Sequence, residues 1–386
     1  MRLASVCYTE FAGTAQEWRL DGLALRDRNL LVGKNATGKS RTLNVIANLA
    51  KNLAGTGAVL PGPMRYRVRF DHDGKPLEYG FSSSEGSILE ERLAIDGRIL
   101  LDRGAKGEGR IFAERIDGGK EIDFQAPQEE LAAVVRRDAI QHPFFQPLHD
   151  WGASVRHYDF GTPLGKDTFG IQAPNGLKLP EPDDKDASLV VAIFRRAMRE
   201  LGEERFKRIL LADLERMDYP ADDVRAGATA SIQLVPPMPG EVLILSVKER
   251  GLAGITEQQQ MSRGMFRVLS LLILANYAML SRRASCLLID DIGEGLDFDR
   301  SCLLIDLLRE KAEAGGLQLV AATNDKFVMD RVPMDEWTVL VREGSRLKAL
   351  DAANSPDLFD EFRFTGLSNF SFLEMGFAEK QMAGSP

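Results

Sequence analysis

The stretch LLVGKNATGKSRTL, residues 30–43, places two glycines, two lysines and a serine in fixed register after an apolar run. Residues 33–40 match the pattern G-x-x-x-x-G-K-[ST] in full, and an amphipathic helix is predicted to begin at Lys39. Gly33 and Gly38 allow backbone N–H groups to fold around phosphate oxygens, and the helix N-terminus adds its positive dipole end. The alternative is a chance match in a turn, which the flanking apolar strand and helix disfavour. The sequence therefore predicts a phosphate-binding loop.

The whole loop is predicted to bind a nucleotide. The predicted binding residues are Gly33, Lys34, Asn35, Ala36, Thr37, Gly38, Lys39, Ser40 and Arg41. Lys39 is expected to neutralise charge on the β and γ phosphates, and the Ser40 hydroxyl is expected to ligate Mg²⁺. ATP and Mg²⁺ are thus the expected ligands.

A second stretch, CLLIDDIGEGLD at residues 286–297, supplies the acidic groups that such a loop needs. An apolar strand is predicted to end at Asp290, which would hold Mg²⁺ through water. Asp291 follows directly, where it can orient or deprotonate an attacking water. The alternative is a buried strand capped by solvated acids, which a phosphate-binding loop in the same chain makes the weaker interpretation.

Periodicity predicts an α/β fold with a parallel sheet, because apolar strands alternate with helices in both the first and the last third of the chain. Residues 65–124 instead form short alternating segments separated by Asp-Gly turns, which predicts an antiparallel lobe. Helices are expected over 128–140 and 187–217, with a long surface loop over 160–184. The predicted segments are an N-terminal one with the phosphate-binding loop and the lobe (1–126), a helical or irregular insertion (127–240), the second half of the sheet domain (241–350) and an irregular tail (351–386).

Bulk composition is that of an ordinary globular protein. The chain has 386 residues, 44% hydrophobic residues and a net charge of −8, which does not favour a whole-chain attraction to nucleic acid or to an anionic membrane. The three cysteines lack metal-ligand spacing, and the longest apolar run, 268–280, is too short to span a bilayer. We expect a soluble, cytoplasmic protein without a membrane partner.

The segment MSRGMFRVLSLL, at 261–272, resembles the signature motif of ABC-type ATPases. Ser262 and Gly264 take the Ser-x-Gly positions. The alternative interpretation is that Ser262 is simply a helix N-cap. The N-cap role and the signature role are compatible, because the N-terminal end of a helix also binds anions.

Two further motifs support the resemblance. GLD, at 295–297, resembles the D-loop and brings Asp297, and LVAATND, at 319–325, resembles the switch strand. The switch position is occupied by Asn324, where that family normally has a histidine. A turn residue after a strand is an equally open interpretation of Asn324.

The chain is most similar to stand-alone ABC-type ATPases related to the SMC, RecF and OLD proteins, which include prokaryotic AAA-like proteins of defence and repair operons. The resemblance implies a P-loop NTPase fold with an ABC-ATPase-like parallel sheet, an antiparallel β lobe and an inserted helical region. It also implies a head-to-tail homodimer, in which ATP lies between the P-loop of one subunit and Ser262 and Gly264 of the other.

Three departures from the family bear on activity. Asn324 cannot carry a positive charge, Asp291 stands where the family has a longer glutamate, and the signature lacks its usual Leu-Ser-Gly-Gly form. The first two weaken hydrolysis more than binding, so Asp291 and Asn324 are expected to support slow turnover. The Q-loop glutamine is left open among Gln125, Gln128 and Gln141.

Three functions are compatible with these motifs. The first is a nucleotide-gated dimeric switch that senses or regulates in anti-phage defence and acts on a separate effector protein. The second is a DNA-repair or DNA-end-binding ATPase of the RecF/SMC kind. The third is a protein that uses ATP structurally without turnover. Self-association and an effector are the expected partners, and nucleic acid stays open.

Overall fold

The computed structural model describes most of the chain. The described residues are 1–57, 62–116, 118–173, 180–229 and 240–378. Parts of the predicted turn at 116–120, of the predicted loop at 160–184 and of the predicted tail lie outside these residues.

The strands run through the whole described chain. They are β1 (Arg2–Glu10), β2 (Trp18–Ala24), β3 (Arg28–Val32), β4 (Met64–His72), β5 (Lys75–Ser84), β6 (Ser87–Ile95), β7 (Arg98–Arg103), β8 (Glu108–Ala113), β9 (Lys120–Gln125), β10 (Val155–Asp159), β11 (Gly170–Gln172), β12 (Ala221–Ala228), β13 (Glu241–Glu249), β14 (Thr256–Glu257), β15 (Cys286–Asp290), β16 (Gln318–Ala322), β17 (Trp337–Glu343) and β18 (Arg346–Leu350).

The helices lie between and after these strands. They are α1 (Lys39–Leu53), α2 (Ala132–Val135), α3 (Gln146–Ser154), α4 (Val190–Leu201), α5 (Glu203–Arg216), α6 (Arg263–Leu280), α7 (Phe298–Gly315), α8 (Lys326–Arg331), α9 (Pro356–Phe364) and α10 (Ser371–Glu374).

One mixed sheet carries most of these strands. Among the described residues its order is β10-β15-β16-β3-β17-β18-β2-β1-β4-β5-β6-β7-β8-β9. The five strands from β10 to β17 are parallel, which confirms the predicted parallel sheet. The carboxyl ends of β3, β15 and β16 therefore meet at one edge, and the loop at 33–38 follows β3 at this edge.

The antiparallel lobe is also confirmed. Strands β4 to β9 each pair antiparallel with the next strand along the chain. The hairpin turns at Asp73-Gly74 and Asp96-Gly97 have positive φ at both residues, as a two-residue turn that matches strand twist requires. Asp-Gly is therefore a local signal that fixes the register of this lobe.

The segment at 127–240 differs from the prediction of helix or irregular chain, because it also contains strands. The short strand β10 joins the main sheet beside β15. The strands β11 and β12 form a second, smaller sheet on either side of β13. The predicted segment boundaries at 126, 240 and 350 stay predictions.

Two helical predictions need correction. Only α2 forms within 128–140, and Gly202, with φ of 85°, separates α4 from α5 within 187–217. The tail predicted as irregular contains α9 and α10, whose Phe359 and Phe372 are buried in the core. The aromatic residues of this tail pack against the domain, which local periodicity over such short helices does not reveal.

The main sheet divides the interior into two apolar clusters. Leu30 and Val32 of β3 contact the cluster that contains α6, whereas Leu31 contacts the cluster that contains α1. Among the described helices, α6 is the one whose length and hydropathy would suit a membrane, and 72% of it is buried inside the protein. Burial from two sides accounts for its nearly continuous apolar sequence.

A buried ion pair fastens the β lobe to the start of the inserted segment. Glu91 of β6 is 0% exposed and accepts hydrogen bonds from the N–H groups of Ala132 (2.6 Å) and Ala133 (2.9 Å) and from the Tyr79 hydroxyl (2.9 Å). Arg103 Nη1 lies 3.3 Å from the Glu91 carboxylate. Burial raises the pKa of Glu91, and these four partners oppose that shift.

Replacement of Arg103 by methionine is expected to lower the free energy of unfolding by about 3–5 kcal/mol, because it leaves a buried carboxylate without its cation. Urea denaturation followed by circular dichroism measures the change. Arg110→Met is the matched control, since Arg110 is 72% exposed and 3.8 Å from Asp123 and should cost less than about 0.5 kcal/mol. Equal losses in the two variants would contradict the structural role of the pair.

Candidate nucleotide-binding site

The loop between β3 and α1 has a backbone that only these small residues allow. Gly38 has φ of 112°, and Ala36 also lies in the left-handed region with φ of 61°. A Cβ atom at Gly33 would lie 2.8 Å from the Leu340 carbonyl oxygen and 2.9 Å from Thr37 Oγ1. The loop therefore folds back on itself at the N-terminus of α1, as a phosphate cradle requires.

Lys39 lies at the centre of this loop. Its side chain is 6% exposed, and Nζ donates to the carbonyl oxygens of Gly33 (2.8 Å) and Lys34 (3.2 Å). Burial lowers the pKa of Lys39, whereas the carboxylates of Asp291 and Asp290 oppose that shift. The Lys39 ammonium group is thus held by two backbone carbonyl oxygens, which phosphate oxygens could replace when a nucleotide binds.

The remaining loop residues surround Lys39. Thr37 Oγ1 donates to the Lys34 carbonyl at 2.9 Å, and Lys34, Asn35 and Ala36 face outward. Arg41 stacks over the Trp18 ring at 4.5 Å and pairs with Glu10. Arg41 therefore already has partners beside the loop.

Asp290, Asp291 and Asn324 come together at the same edge. Asp290 is 5% exposed at the end of β15 and accepts a hydrogen bond from the N–H of Asp291 at 3.0 Å. Asn324 follows β16, and its Nδ2 donates to Asp291 Oδ1 at 3.3 Å. Burial, and then the charge of Asp290, raise the pKa of Asp291, whereas Lys39 and Asn324 oppose that shift. Asn324 therefore contacts Asp291, the predicted general base, and also lies in the loop that follows β16.

The oxygen donors fit a metal that arrives with phosphates. In the described part of the chain no group of three or more His, Cys, Asp or Glu side chains could hold a metal ion alone. Ser40, exposed in the first turn of α1, and Asp290 offer a hydroxyl and a carboxylate, and Mg²⁺ commonly takes one or two such protein ligands plus waters and phosphate oxygens. These two residues would hold Mg²⁺, which supplies charge neutralisation for the phosphates.

Sequence reasoning missed Asp159. It ends β10 in register with Asp290 on the neighbouring parallel strand. The point where a Cβ atom of Gly161 would lie is 3.2 Å from Asp159 Oδ1, 3.3 Å from Asp291 Oδ2 and 2.8 Å from Glu294 Oε2. Three carboxylates therefore converge beside Gly161, and the sequence VRHYDFG was the only signal for Asp159.

The three glutamines considered for the Q-loop do not reach this site. Gln125 ends β9, which forms the opposite edge of the main sheet from β10. Gln128 and Gln141 hydrogen-bond through their backbone carbonyls to Ile88 and Glu114 of the lobe. The strand neighbouring β15 ends in Asp159, and the assignment of the Q-loop glutamine stays open.

The predicted signature segment and the predicted D-loop lie side by side. Ser262 caps α6, with Oγ accepting from the N–H of Met265 at 3.1 Å. A Cβ atom at Gly264 would lie 3.2 Å from Leu296 Cδ2 and 3.5 Å from the Gly295 carbonyl. Asp297 caps α7, and its carboxylate accepts from the N–H of Arg300 at 3.0 Å. No hydrogen bond links these caps to the loop at 33–41 within the described ranges.

The signature helix is fastened to the chain that follows β10. Arg267 donates to the carbonyl oxygens of Gly161 (2.7 Å) and Glu294 (3.0 Å). Lys166 Nζ donates to the carbonyls of Gln258 (2.8 Å) and Met261 (2.7 Å), at the start of the predicted signature segment. The nucleotide edge and the signature helix are thus joined through backbone carbonyls.

The chain matches the model of a known protein family. The family model described as "AAA domain, putative AbiEii toxin, Type IV TA system" matches residues 28–330, a range that contains every predicted site residue. No curated protein matches the chain by sequence.

Three solved structures are similar to the chain over most of its length. An SMC head bound to the C-winged helix domain of ScpA is 12% identical, with a TM-score of 0.54, over 92% of this chain and 100% of that one. The SMC head domain from Thermotoga maritima is 14% identical, covers 91% and 99%, and has a TM-score of 0.47. An SMC head domain from Pyrococcus furiosus, bound to the C-terminal domain of ScpA, is 11% identical, covers 94% and 100%, and has a TM-score of 0.49. The first of these confirms the predicted α/β fold, which is that of an SMC head domain.

Proposed function

The chain belongs to the AAA-domain family whose description names the AbiEii toxin, and on that basis we propose that it is an ATP-binding, slowly hydrolysing, ABC-type ATPase that acts as a nucleotide-gated homodimeric switch. The observation that carries the proposal is the convergence of Lys39, Asp290, Asp291 and Asn324 at one sheet edge. A phosphate cradle, two carboxylates and an amide are groups that phosphoryl transfer from ATP·Mg²⁺ to water uses.

The proposed reaction is hydrolysis of the β–γ phosphoanhydride. Lys39 neutralises phosphate charge, and Asp291 accepts the proton of the attacking water. The water oxygen bonds to the γ-phosphorus while the bond to the bridging oxygen breaks, which leaves ADP and inorganic phosphate. Asn324 orients Asp291 but adds no positive charge, so we expect turnover well below that of a transporter motor domain.

The homodimer is supported by what each subunit lacks at its own site. The capped N-terminus of α6, at Ser262, presents an exposed hydroxyl, and it makes no hydrogen bond to the described residues of the phosphate loop. A second copy docked head to tail would bring that helix end to the γ-phosphate, where the dipole favours an anion. ATP thereby becomes part of the interface.

Ser262→Asp is expected to abolish ATP-driven dimerisation while leaving ATP binding within about threefold of wild type. Aspartate caps a helix as well as serine does, yet its charge repels the γ-phosphate. Light scattering with and without ATP·Mg²⁺ measures the mass, and fluorescent-nucleotide titration measures binding.

Ser262→Asn is the matched control, since asparagine caps equally well without the charge. It should retain at least part of the ATP response. If ATP does not change the mass of the wild-type protein, or if Ser262→Asp dimerises normally, the signature interpretation of 261–272 is wrong.

The proposed setting is cytoplasmic anti-phage defence, in which the dimer regulates a separate effector protein. The family description supports this setting because it names a toxin of a type IV TA system. Co-purification of a co-encoded partner in the presence of ATP and Mg²⁺, with release after hydrolysis, is the test. If no partner co-purifies with the dimer in either nucleotide state, the proposal that the dimer regulates an effector protein is contradicted.

A further inference from the structure

Three cationic side chains lie around the N-terminal end of α6. Arg263 is the first residue of this helix, and Arg267 lies about one turn further along. Lys166 Nζ donates to the Met261 carbonyl, just before the helix begins. We call Arg263, Arg267 and Lys166 the cationic cluster. A helix N-terminus already carries partial positive charge and disfavours cations, and α6 has no acidic residue in its first turn that would offset them.

No carboxylate of the described residues forms an ion pair with the cationic cluster. Asp167, the exposed acid that follows Lys166 in the chain, forms none with it either. Arg267 and Lys166 donate instead to backbone carbonyl oxygens, which are those of Gly161, Glu294, Gln258, Gln259 and Met261. Each cation of the cluster is therefore without an anionic partner in the described part of its own subunit.

Arg263 differs from the other two cations because it does not hold any part of the fold in place. Arg267 and Lys166 bind the loops beside the helix end, whereas the exposed Arg263 side chain makes no hydrogen bond or ion pair with any described residue. Burial lowers the pKa of Lys166, the charge of Asp167 opposes that shift, and the charge of Arg263 adds to it. An unpaired guanidinium that repels a neighbouring cation favours an anion from outside the subunit.

Ser262 and Arg263 form the exposed side of this helix end. The next residue, Gly264, belongs to the packed side, because its Cβ position lies 3.2 Å from Leu296 Cδ2 and 3.7 Å from Tyr219 Oη. Ser262 and Arg263 are adjacent in the chain, and both are exposed. An anion that contacts the Ser262 hydroxyl is therefore within reach of the long Arg263 side chain.

The nucleotide site of the same subunit has the opposite imbalance of charge. Burial and the charge of Asp290 raise the pKa of Asp291, and Lys39 is the one described cation that opposes them. Asn324 contacts Asp291 without carrying charge. Because phosphoryl transfer spreads negative charge over the γ-phosphoryl oxygens, it is favoured by further cations. A site that lacks a cation and a helix end with an unpaired one are complementary when two subunits meet head to tail.

We propose that Arg263 is a catalytic residue that acts in trans: its guanidinium contacts the γ-phosphate of the ATP bound by the partner subunit and supplies the positive charge that Asn324 cannot carry. This inference rests on the homodimeric switch proposed above. The water oxygen bonds to the γ-phosphorus, the bond to the bridging oxygen breaks, and Asp291 takes the proton. Arg263 exchanges no proton and stabilises the charge on the phosphoryl oxygens. Hydrolysis then requires both subunits.

Arg263→Gln is expected to lower the rate of ATP hydrolysis by about 100-fold, because it removes a charge that acts mainly in the transition state. ATP binding should stay within about threefold of wild type, since the phosphate loop is intact. Single-turnover release of phosphate measures the rate, and fluorescent-nucleotide titration measures binding. Arg263→Lys keeps the charge and should recover part of the rate.

Arg208→Gln is the matched control, since Arg208 is exposed on α5 and forms no ion pair with any described residue. Its hydrolysis rate should equal that of wild type. The variants should keep the thermal unfolding midpoint of wild type, because neither arginine holds the fold together. A wild-type rate for Arg263→Gln, or an equal loss of rate in Arg208→Gln, overturns the proposal.

Mixed dimers distinguish action in trans from action within one subunit. Arg263→Gln and Asp291→Asn are mixed in equal amounts before ATP·Mg²⁺ is added, so that by random pairing about half of the dimers contain one subunit of each. One of the two sites in such a dimer combines an intact Asp291 from one subunit with an intact Arg263 from the other. The mixture should therefore release phosphate at about a quarter of the wild-type rate, well above either variant alone. A mixture that is no more active than its components overturns the proposal.

Light scattering on the same samples separates this proposal from the switch on which it rests. If ATP·Mg²⁺ assembles the wild-type dimer and the wild type hydrolyses ATP, but the mixture stays inactive, the switch stands and the role of Arg263 is wrong. If ATP·Mg²⁺ does not assemble the wild type, the switch and the role of Arg263 are both overturned.

Discussion

Lys39→Ala is expected to weaken ATP binding by at least about 100-fold, the largest effect that we predict for a single side chain. The substitution removes the ammonium group that donates to the Gly33 and Lys34 carbonyls of the loop, and a charge-assisted contact to phosphate contributes about 1.5–3 kcal/mol, more when it is desolvated. Calorimetric titration with ATP·Mg²⁺ gives the dissociation constant.

Lys51→Ala is the control for the loss of a lysine from α1, since Lys51 is exposed at the far end of the same helix. It should bind ATP as wild type does. Both variants should keep their thermal unfolding midpoint within a few degrees, because Lys39 contacts only loop carbonyls. Undiminished ATP binding by Lys39→Ala would show that residues 33–41 do not form the nucleotide site.

Asp291→Asn is expected to lower the rate of ATP hydrolysis by about 10²–10³-fold while ATP binding persists. Asparagine keeps the shape of the side chain and its contact with Asn324, but it cannot take a proton from water. Single-turnover release of phosphate measures the chemical step, and light scattering is expected to show a dimer that ATP·Mg²⁺ assembles and that no longer dissociates.

Asp299→Asn controls for the loss of one negative charge nearby, because Asp299 is exposed in the first turn of α7. Its hydrolysis rate should equal that of wild type. If the wild-type protein hydrolyses no ATP and Asp291→Asn retains full function in cells, ATP has a purely structural role. That third function would then replace the switch.

Features that depend on a few consecutive residues could be predicted from the sequence. The loop at 33–40 and the acidic pair Asp290 and Asp291 could be predicted because glycine conformation, helix dipole and carboxylate chemistry act within one short stretch. The Asp-Gly turns of the lobe are local in the same sense. These signals were enough for the fold class and for most of the proposed site.

Features that depend on distant partners could not be predicted. Asp159 reaches the site only because β10 pairs with β15, more than a hundred residues further along the chain, and VRHYD lacks the apolar pattern of a buried strand. The helix predicted over 128–140 is reduced to α2, where Glu91 of a distant strand accepts from the first N–H groups. In both places tertiary contacts decide the local structure.

The arginine that joins Gly161 to Glu294 has a thermodynamic consequence. Arg267 lies on α6, the helix whose capped end is proposed to meet the partner subunit, and it hydrogen-bonds to the two loops that contain Gly161 and Glu294. In the proposed switch, the factor by which ATP strengthens dimerisation must equal the factor by which dimerisation strengthens ATP binding. A higher protein concentration should therefore increase the affinity for ATP, just as a higher ATP concentration increases the affinity of one subunit for the other.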